Sequence, residues 1–202
     1  RNCTFQNNTV EISKFDLGAI GGAICNYYGS LNIETCSFKN NTCNGSQEKF
    51  GSGGGAIYSI AGELSVIDST FDQNLSETNG GAINIDLQNN SLITNCDFSL
   101  NNAGYLGGAI NSQKSNPILS NNYFCNNTYK QIAGTWIDNG GNVMKAKCET
   151  CPDINDDGYV NISDVLAILN DWNMTESPAD VNGDSIVDIS DILGVIAAWG
   201  SC

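Results

Sequence analysis

The sequence predicts two units: an all-β parallel β-helix (solenoid) over residues 1–147 and, after a short linker at 148–151, a small all-α domain of two loop-helix repeats over 152–202. Three observations predict this. Phe-x-x-Asn recurs at Phe5, Phe38, Phe71, Phe98 and Phe124, in register with Gly-Gly-Ala-Ile at Gly21, Gly54, Gly80 and Gly107. A separate duplication runs through the C-terminal part, where Asp153 recurs as Asp180 and, at the same interval, Trp172 as Trp199. Charge also divides there: Cys148 to Cys202 holds 11 acids and no base, while residues 1–147 hold the other 11 acids and all 8 bases.

Composition narrows the function. A net charge of -14 argues against nucleic acid or an anionic membrane as partner, because like charges repel. No apolar stretch reaches the roughly 20 residues that span a bilayer, so no transmembrane segment is expected. The chain opens at Arg1 with no leader, which reads as a fragment or a processed form whose first solenoid turns are missing. Nine Cys exceed what a reducing cytosol usually leaves unexplained, so an extracellular or cell-surface location is expected. The absence of His removes the commonest general base.

The repeat in the first 147 residues is that of a solenoid. The intervals between successive Phe run 33, 33, 27 and 26. From each Gly-Gly to the next Phe the distance stays at 17 or 18, whereas from Phe to the next Gly-Gly it is 16, 16, 9 and 9, so one arc is fixed and the other accepts an insertion. Ahead of each Phe, Leu31/Ile33, Leu64/Val66 and Ile93 alternate with polar neighbours, and period two means strand. Turns stacked at the strand spacing of about 4.8 Å set like over like, giving internal columns of Phe, Ile and Asn. Gly-Gly supplies the positive φ or close approach that a corner needs. A further gap of 16 after Phe124 reaches Gly140-Gly141, read as a degenerate last copy, and the array is expected to end near Lys147.

These units resemble the repeats of the polymorphic outer-membrane protein family over about residues 1–143. The resemblance implies a right-handed parallel β-helix and the passenger of a surface-exposed adhesin; other right-handed β-helices carry polysaccharide lyase or hydrolase sites on an outer face. A hydrolase needs two carboxylates about 5 to 9 Å apart. Here Asp68, Asp72, Asp86 and Asp97 are scattered and read as solvated surface, so no catalytic residue is assigned. Cys3, Cys36 and Cys96 fall in one inward column with Ser69 between and read as packing, while Cys25, Cys43 and Cys125 are left open to pairing.

The C-terminal duplication has metal-ligand spacing. Asp153, Asn155, Asp157, Asn161 and Asp164 stand at loop positions 1, 3, 5, 9 and 12, with Gly158 at 6 and the Tyr159 carbonyl at 7. Asp180, Asn182, Asp184, Asp188 and Asp191 repeat the pattern with the Ile186 carbonyl. Such a set of oxygen donors suits calcium, and two ions are expected. Ser185 replaces Gly at position 6 of the second loop, where a left-handed residue with a Cβ costs about 1 kcal/mol, so the second loop is expected to be the weaker. Each loop leads into an apolar-periodic helix, with Ser163 or Ser190 as the expected cap. The helix faces are expected to pack together and bury both Trp.

Asp at position 12, with at most a few helical residues ahead of each loop, makes residues 152–200 resemble type I dockerins, calcium-dependent modules that plug secreted proteins into cohesins. The resemblance places partner contact at positions 10 and 11, here Ile162/Ser163 and Ile189/Ser190, duplicated in the two halves. Asn170-Asp171 and Ala197-Ala198 stand where a basic pair often follows, so the implied partner is a cohesin-like or other surface or scaffold protein. Related modules ending in Trp-Gly-x-Cys imply a bond between Cys151 and Cys202, with Cys148 as the competing partner. The chain is therefore expected to be a secreted or cell-surface β-helix protein with a non-catalytic, adhesive role and a calcium-dependent docking module. The alternatives are a fragment of a polysaccharide-degrading enzyme attached to a scaffold, and a C-terminal module that serves secretion or surface sorting.

Overall fold

The computed structural model describes residues 1–11, 18–45, 53–87, 91–148, 151–155, 157 and 159–201. The chain separates into two compact units, Arg1–Cys148 and Glu149–Cys202.

In the first unit, four stacks of short parallel strands wind into a β-helix. The Phe sheet comprises Thr4–Gln6, Ser37–Lys39, Thr70–Asp72, Asp97–Ser99, Tyr123–Cys125 and Val143–Lys145. Thr9–Glu11, Thr42–Asn44, Leu75–Ser76 and Asn102–Ala103 form a second sheet just past each Asn. Beyond the four Gly-Gly corners, Ile24–Tyr27, Ile57–Ile60, Ile83–Asp86 and Ile110–Ser112, joined by Ile132–Gly134, make a third. Ser30–Glu34, Glu63–Ile67, Ser91–Thr94, Ile118–Ser120 and Ile137–Asp138 make the fourth.

Register puts like over like. Phe5, Phe38, Phe71, Phe98 and Phe124 pair in sequence, their rings stacked at 4.7 to 4.8 Å and 1 to 7° from parallel. The spacing is that of the strands themselves, which forces the rings face to face. Ile24, Ile57, Ile83, Ile110 and Ile132 form the opposite column, and Ile33, Val66, Ile93 and Leu119 a third. Together they make one continuous core.

Two polar ladders run along the axis. Asn8, Asn41, Asn74, Asn101 and Asn127 each donate from the side-chain amide toward the next turn, and Asn41, Asn74, Asn101 and Asn127 also donate to a Phe carbonyl one turn back. The second ladder runs through the column before the Phe sheet: Cys36 N–H donates to Ser69 Oγ, Cys96 N–H to Asn122 Oδ1 and Asn122 N–H to Asn142 Oδ1. Cys36 and Cys96 are buried as expected; Cys3, on the terminal turn, is exposed. A shorter pair, Asn111 to Asn84, stops where the column reaches Ala133, leaving Asn111 Oδ1 buried without a partner.

The corner chemistry is visible at Gly54 and Gly55. Gly54 has φ +74, and a Cβ on Gly55 would run into the Gly81 carbonyl oxygen of the next turn. The reading of Gly140-Gly141 as a last copy of this corner is corrected. Asn121 N–H donates to Gly140 O, as Asn95 does to Ser120 O, and Met144 pairs with Phe124 as the sixth member of the Phe column. Gly141, at φ +73, continues the left-handed column of Thr35, Asp68, Asn95 and Asn121. The last corner is instead Lys130-Gln131-Ile132, where the Lys130 and Gln131 carbonyls receive Gly108 and Ala109 N–H. Repeat spacing misled because this turn has no strand after its Asn among the described residues and is therefore shorter.

Cys125 and Cys148 are bonded, with Cα atoms 4.6 Å apart. That pairing excludes Cys148 as the partner of Cys151 and ties the end of the first unit to its Phe sheet. Cys25 and Cys43 are free.

The second unit contains helices α1 (Ile162–Asn170) and α2 (Ile189–Ala197) and an antiparallel pair, Tyr159–Val160 with Gly200–Ser201. Val160, Ile168, Ala179, Val187 and Val195 form its core.

Candidate metal centre

The two expected calcium loops fold through the same internal hydrogen bonds, because each donor side chain turns back to accept a backbone N–H a few residues on. In the first, Asp153 Oδ1 and Asn155 Oδ1 both accept from Asp157 N–H, at 3.1 and 3.0 Å, and Asp157 Oδ1 accepts from Tyr159 N–H at 2.9 Å. In the second, Asp180 Oδ1 accepts from Gly183 and Asp184, Asn182 Oδ1 from Asp184 at 2.8 Å, and Asp184 Oδ1 from Ile186 at 3.1 Å. Asp180 Oδ2 also accepts from Ser185, which takes φ +76. Gly158, its counterpart in the first loop, lies outside the described residues.

Position 12 is the most constrained. Asp164 and Asp191 are fully buried. Asp164 Oδ1 accepts from Ile154 and Asn155, and its Oδ2 from Asn161; Asp191 does the same with Val181, Asn182 and Asp188. One carboxylate thus joins the start of its loop to the start of its helix. Desolvation works to raise the Asp164 pKa, but the N–H groups of Asn161, Ile154 and Asn155 outweigh it and hold the carboxyl below its ordinary range.

Position 9 corrects the expected caps. Asn161 and Asp188, rather than Ser163 and Ser190, are the N-caps, accepting from Ser163 N–H at 2.8 Å and Ser190 N–H at 2.7 Å, and each closes a capping box with Asp164 or Asp191. The loop's ninth residue is therefore also the helix cap, which leaves the serine hydroxyls free of that role.

The side-chain donors are all oxygens, a set suited to a hard cation. Among the described residues no three Asp, Glu or Cys side chains converge on a metal-binding cluster. The expected set differs in kind, since Asn155, Asn161, Asn182 and the Tyr159 and Ile186 carbonyls supply part of it. No Lys or Arg lies between Cys148 and Cys202 to balance the buried carboxylates.

The expected burial of both Trp is corrected: Trp172 is 40% and Trp199 54% exposed. Each helix buries only one edge of its apolar surface, through Ile168 with Val165 and through Val195 with Ile192. The other edge stays in solvent. Ile162, Leu166, Leu169 and Trp172 form one exposed stripe, and Ile189, Leu193, Ile196 and Trp199 repeat it along α2. The four expected partner residues, Ile162, Ser163, Ile189 and Ser190, are all exposed. Sequence reasoning named the first member of each stripe and missed the rest, although apolar residues at 162, 166 and 169 already keep helical spacing.

Cys151 is disulfide-bonded; Cys202, its expected partner, lies outside the described residues. On the solenoid, Asp72 is held by Lys39 at 2.9 Å and by Ser99 at 3.0 Å, and Asp68 accepts from Asn95 one turn on. Asp97 stands between Thr70 and Tyr123 of neighbouring turns. No helix among the described residues is long and apolar enough to cross a membrane.

The solenoid turns carry a recognised repeat. The Chlamydia polymorphic membrane protein repeat matches residues 2–27, 35–60 and 68–86. The matched segments hold the first three members of the Phe column and the first three Gly-Gly corners, the parts that the structure stacks. They cover less than half of the chain and none of the second unit. No curated protein and no solved structure matches the chain.

Proposed function

We propose that this chain is part of a surface-exposed, non-catalytic β-helix protein whose C-terminal unit is a calcium-dependent, dockerin-like docking module. The observation that carries the reading is the matching closure of the two loops, each by a buried carboxylate at position 12 that accepts from the same three loop positions, with no base in the unit to balance it. Asp153, Asn155, Asp157, Asn161, Asp164 and the Tyr159 carbonyl in one loop, and their counterparts in the other, would hold calcium, which would supply the balancing charge. The exposed stripes, each with a Trp and three aliphatic side chains, suit the apolar centre of a docking surface.

The surface location rests on the polymorphic membrane protein repeat, and the non-catalytic reading on the outer acids Asp68 and Asp72, both engaged by neighbours in the axial stack. A bond between Cys151 and Cys202 would tie the unit's two ends. The test is capture from surface and secreted fractions of the source cells by the full chain, with calcium, with chelator, and with Asp153→Ala plus Asp180→Ala. A single protein retained only with calcium and lost in the variant supports docking. Folding by calcium without any capture would favour a sorting or purely structural module.

A further inference from the structure

The two halves of the second unit exchange their ends. Loop 1 is braced by the segment after α2, through Tyr159 with Ser201 and Val160 with Gly200. Loop 2 is braced by the segment after α1: Asn173 N–H donates to Val187 O at 2.9 Å, and Val187 N–H to Met174 O at 3.0 Å. Val160 and Val187 occupy position 8 of their loops, and Asn173 and Gly200 each follow a Trp, so both contacts join the same two points of the duplicated unit. Asn173 and Gly200 both take positive φ, +61 and +140, turning the chain off its helix toward the other loop.

We infer that the two loops bind calcium cooperatively through these exchanged ends. An ion in loop 2 orders α2 through Asp188, which caps its first turn, and through Asp191, which accepts from Val181 and Asn182 at the start of the loop. Ordered α2 then sets Gly200 and Ser201 against loop 1. The same path runs from loop 1 through Asn161, Asp164 and α1 to Asn173 and Met174, which hold loop 2. The circuit is closed, so each site's free energy includes the ordering of the other. The inference rests on the calcium reading above and adds a direction: the first loop meets Gly200 and Ser201 directly, whereas the second feels them only through an occupied first loop.

The test is calorimetric titration of the full chain with calcium. Wild type takes up two ions cooperatively; Asp180→Ala, which leaves only loop 1, binds about tenfold more weakly there than the intact protein. Truncation after Trp199 in the Asp180→Ala background weakens loop 1 further, while the same truncation in the Asp153→Ala background leaves loop 2 unchanged. Cys151→Ser, which removes a disulfide without removing Gly200 or Ser201, keeps the cooperativity. The coupling is overturned if the wild-type sites fill independently, or if truncation weakens both loops alike, as general destabilisation would. If the wild type takes up no calcium, the functional reading itself fails.

Discussion

The side-chain amide of Asn127 donates to Oε1 of Gln131 at 2.6 Å, and this contact ends the Asn ladder. Every earlier Asn passes its donor to the next turn's Asn; the last has no successor, and Gln131 takes the place, sending its own amide on to Lys145 O and Phe124 O. Along this ladder each inner amide sends one N–H forward to the next turn and the other back to a Phe carbonyl, while its Oδ1 accepts only from the turn before.

Replacing Asn74 by Leu should therefore be far costlier than shortening Gln131. Asn74 is fully buried; it donates to Phe38 O and Asn101 Oδ1 and accepts twice from Asn41. Unmaking these contacts in a dry interior costs about 3 to 5 kcal/mol, against about 1 to 2 kcal/mol for Gln131→Ala at the half-buried end. Urea midpoints with unchanged slopes would measure the difference.

Glycine substitutions separate crowding from backbone strain. At Gly55 an added Cβ meets the Gly81 carbonyl, so Gly55→Ala should prevent folding of the corner or shift it visibly. At Gly140 nothing lies within 4 Å and only φ +88 opposes a side chain, so Gly140→Ala should lower stability by about 1 kcal/mol. Soluble yield and melting temperature of the two variants would tell the cases apart.

Alkali should unfold the solenoid early. Burial pushes the Cys43 thiol up to about 11 and the Cys96 thiol up to about 12, and burial followed by the charge of Asp86 pushes Tyr58 up to about 12. Each group is neutral in the folded protein at a pH where the unfolded chain already ionises. Their stabilisation is thus complete below about pH 9 and is lost between there and about pH 12. A melting temperature that stays level across pH 9 to 11 would contradict this. At neutral pH the buried Cys36, Cys43 and Cys96 should resist thiol reagents until the protein unfolds.

The helix caps make a test of position 9 against position 10 or 11. Ser163→Ala removes a hydroxyl with no capping role and should change stability by less than about 0.5 kcal/mol, whereas Asn161→Ala removes the N-cap and should cost about 1 kcal/mol. Because Asp164 sits below the usual carboxylate range, its contribution is present above the ordinary value near 3.8 and is lost as pH falls through the lower folded value. The helical signal in wild type should accordingly persist at pH 4 and fade below it.

Repetition made most of the solenoid legible. A residue that recurs once per turn must stack on itself at the strand spacing, so the Phe, Ile and Asn columns and the Cys36-Ser69-Cys96 column followed from spacing alone. The duplication of the C-terminal loops was legible for the same reason, since the spacing of their Asp and Asn residues and its recurrence from Asp153 to Asp180 are local facts. Where a turn changes length, spacing and register part: Gly140-Gly141 matches in letters a corner that Lys130-Gln131-Ile132 forms in space, because register is set by hydrogen bonds between turns.

What the sequence by itself determined is whatever depends on identity at a fixed interval: the period, the inward columns, the duplication of the Asp- and Asn-rich loops and the charge divide at Cys148. Only the tertiary structure decided which of several chemically equivalent groups meet. It paired Cys125 with Cys148, gave the caps to Asn161 and Asp188, left Trp172 and Trp199 in solvent, and set Gly200 against Val160. Each of these depends on how the backbone path places groups that local spacing treats alike. A thiol, a side-chain oxygen or an indole is equally competent for several partners, and only that path brings one of them within reach.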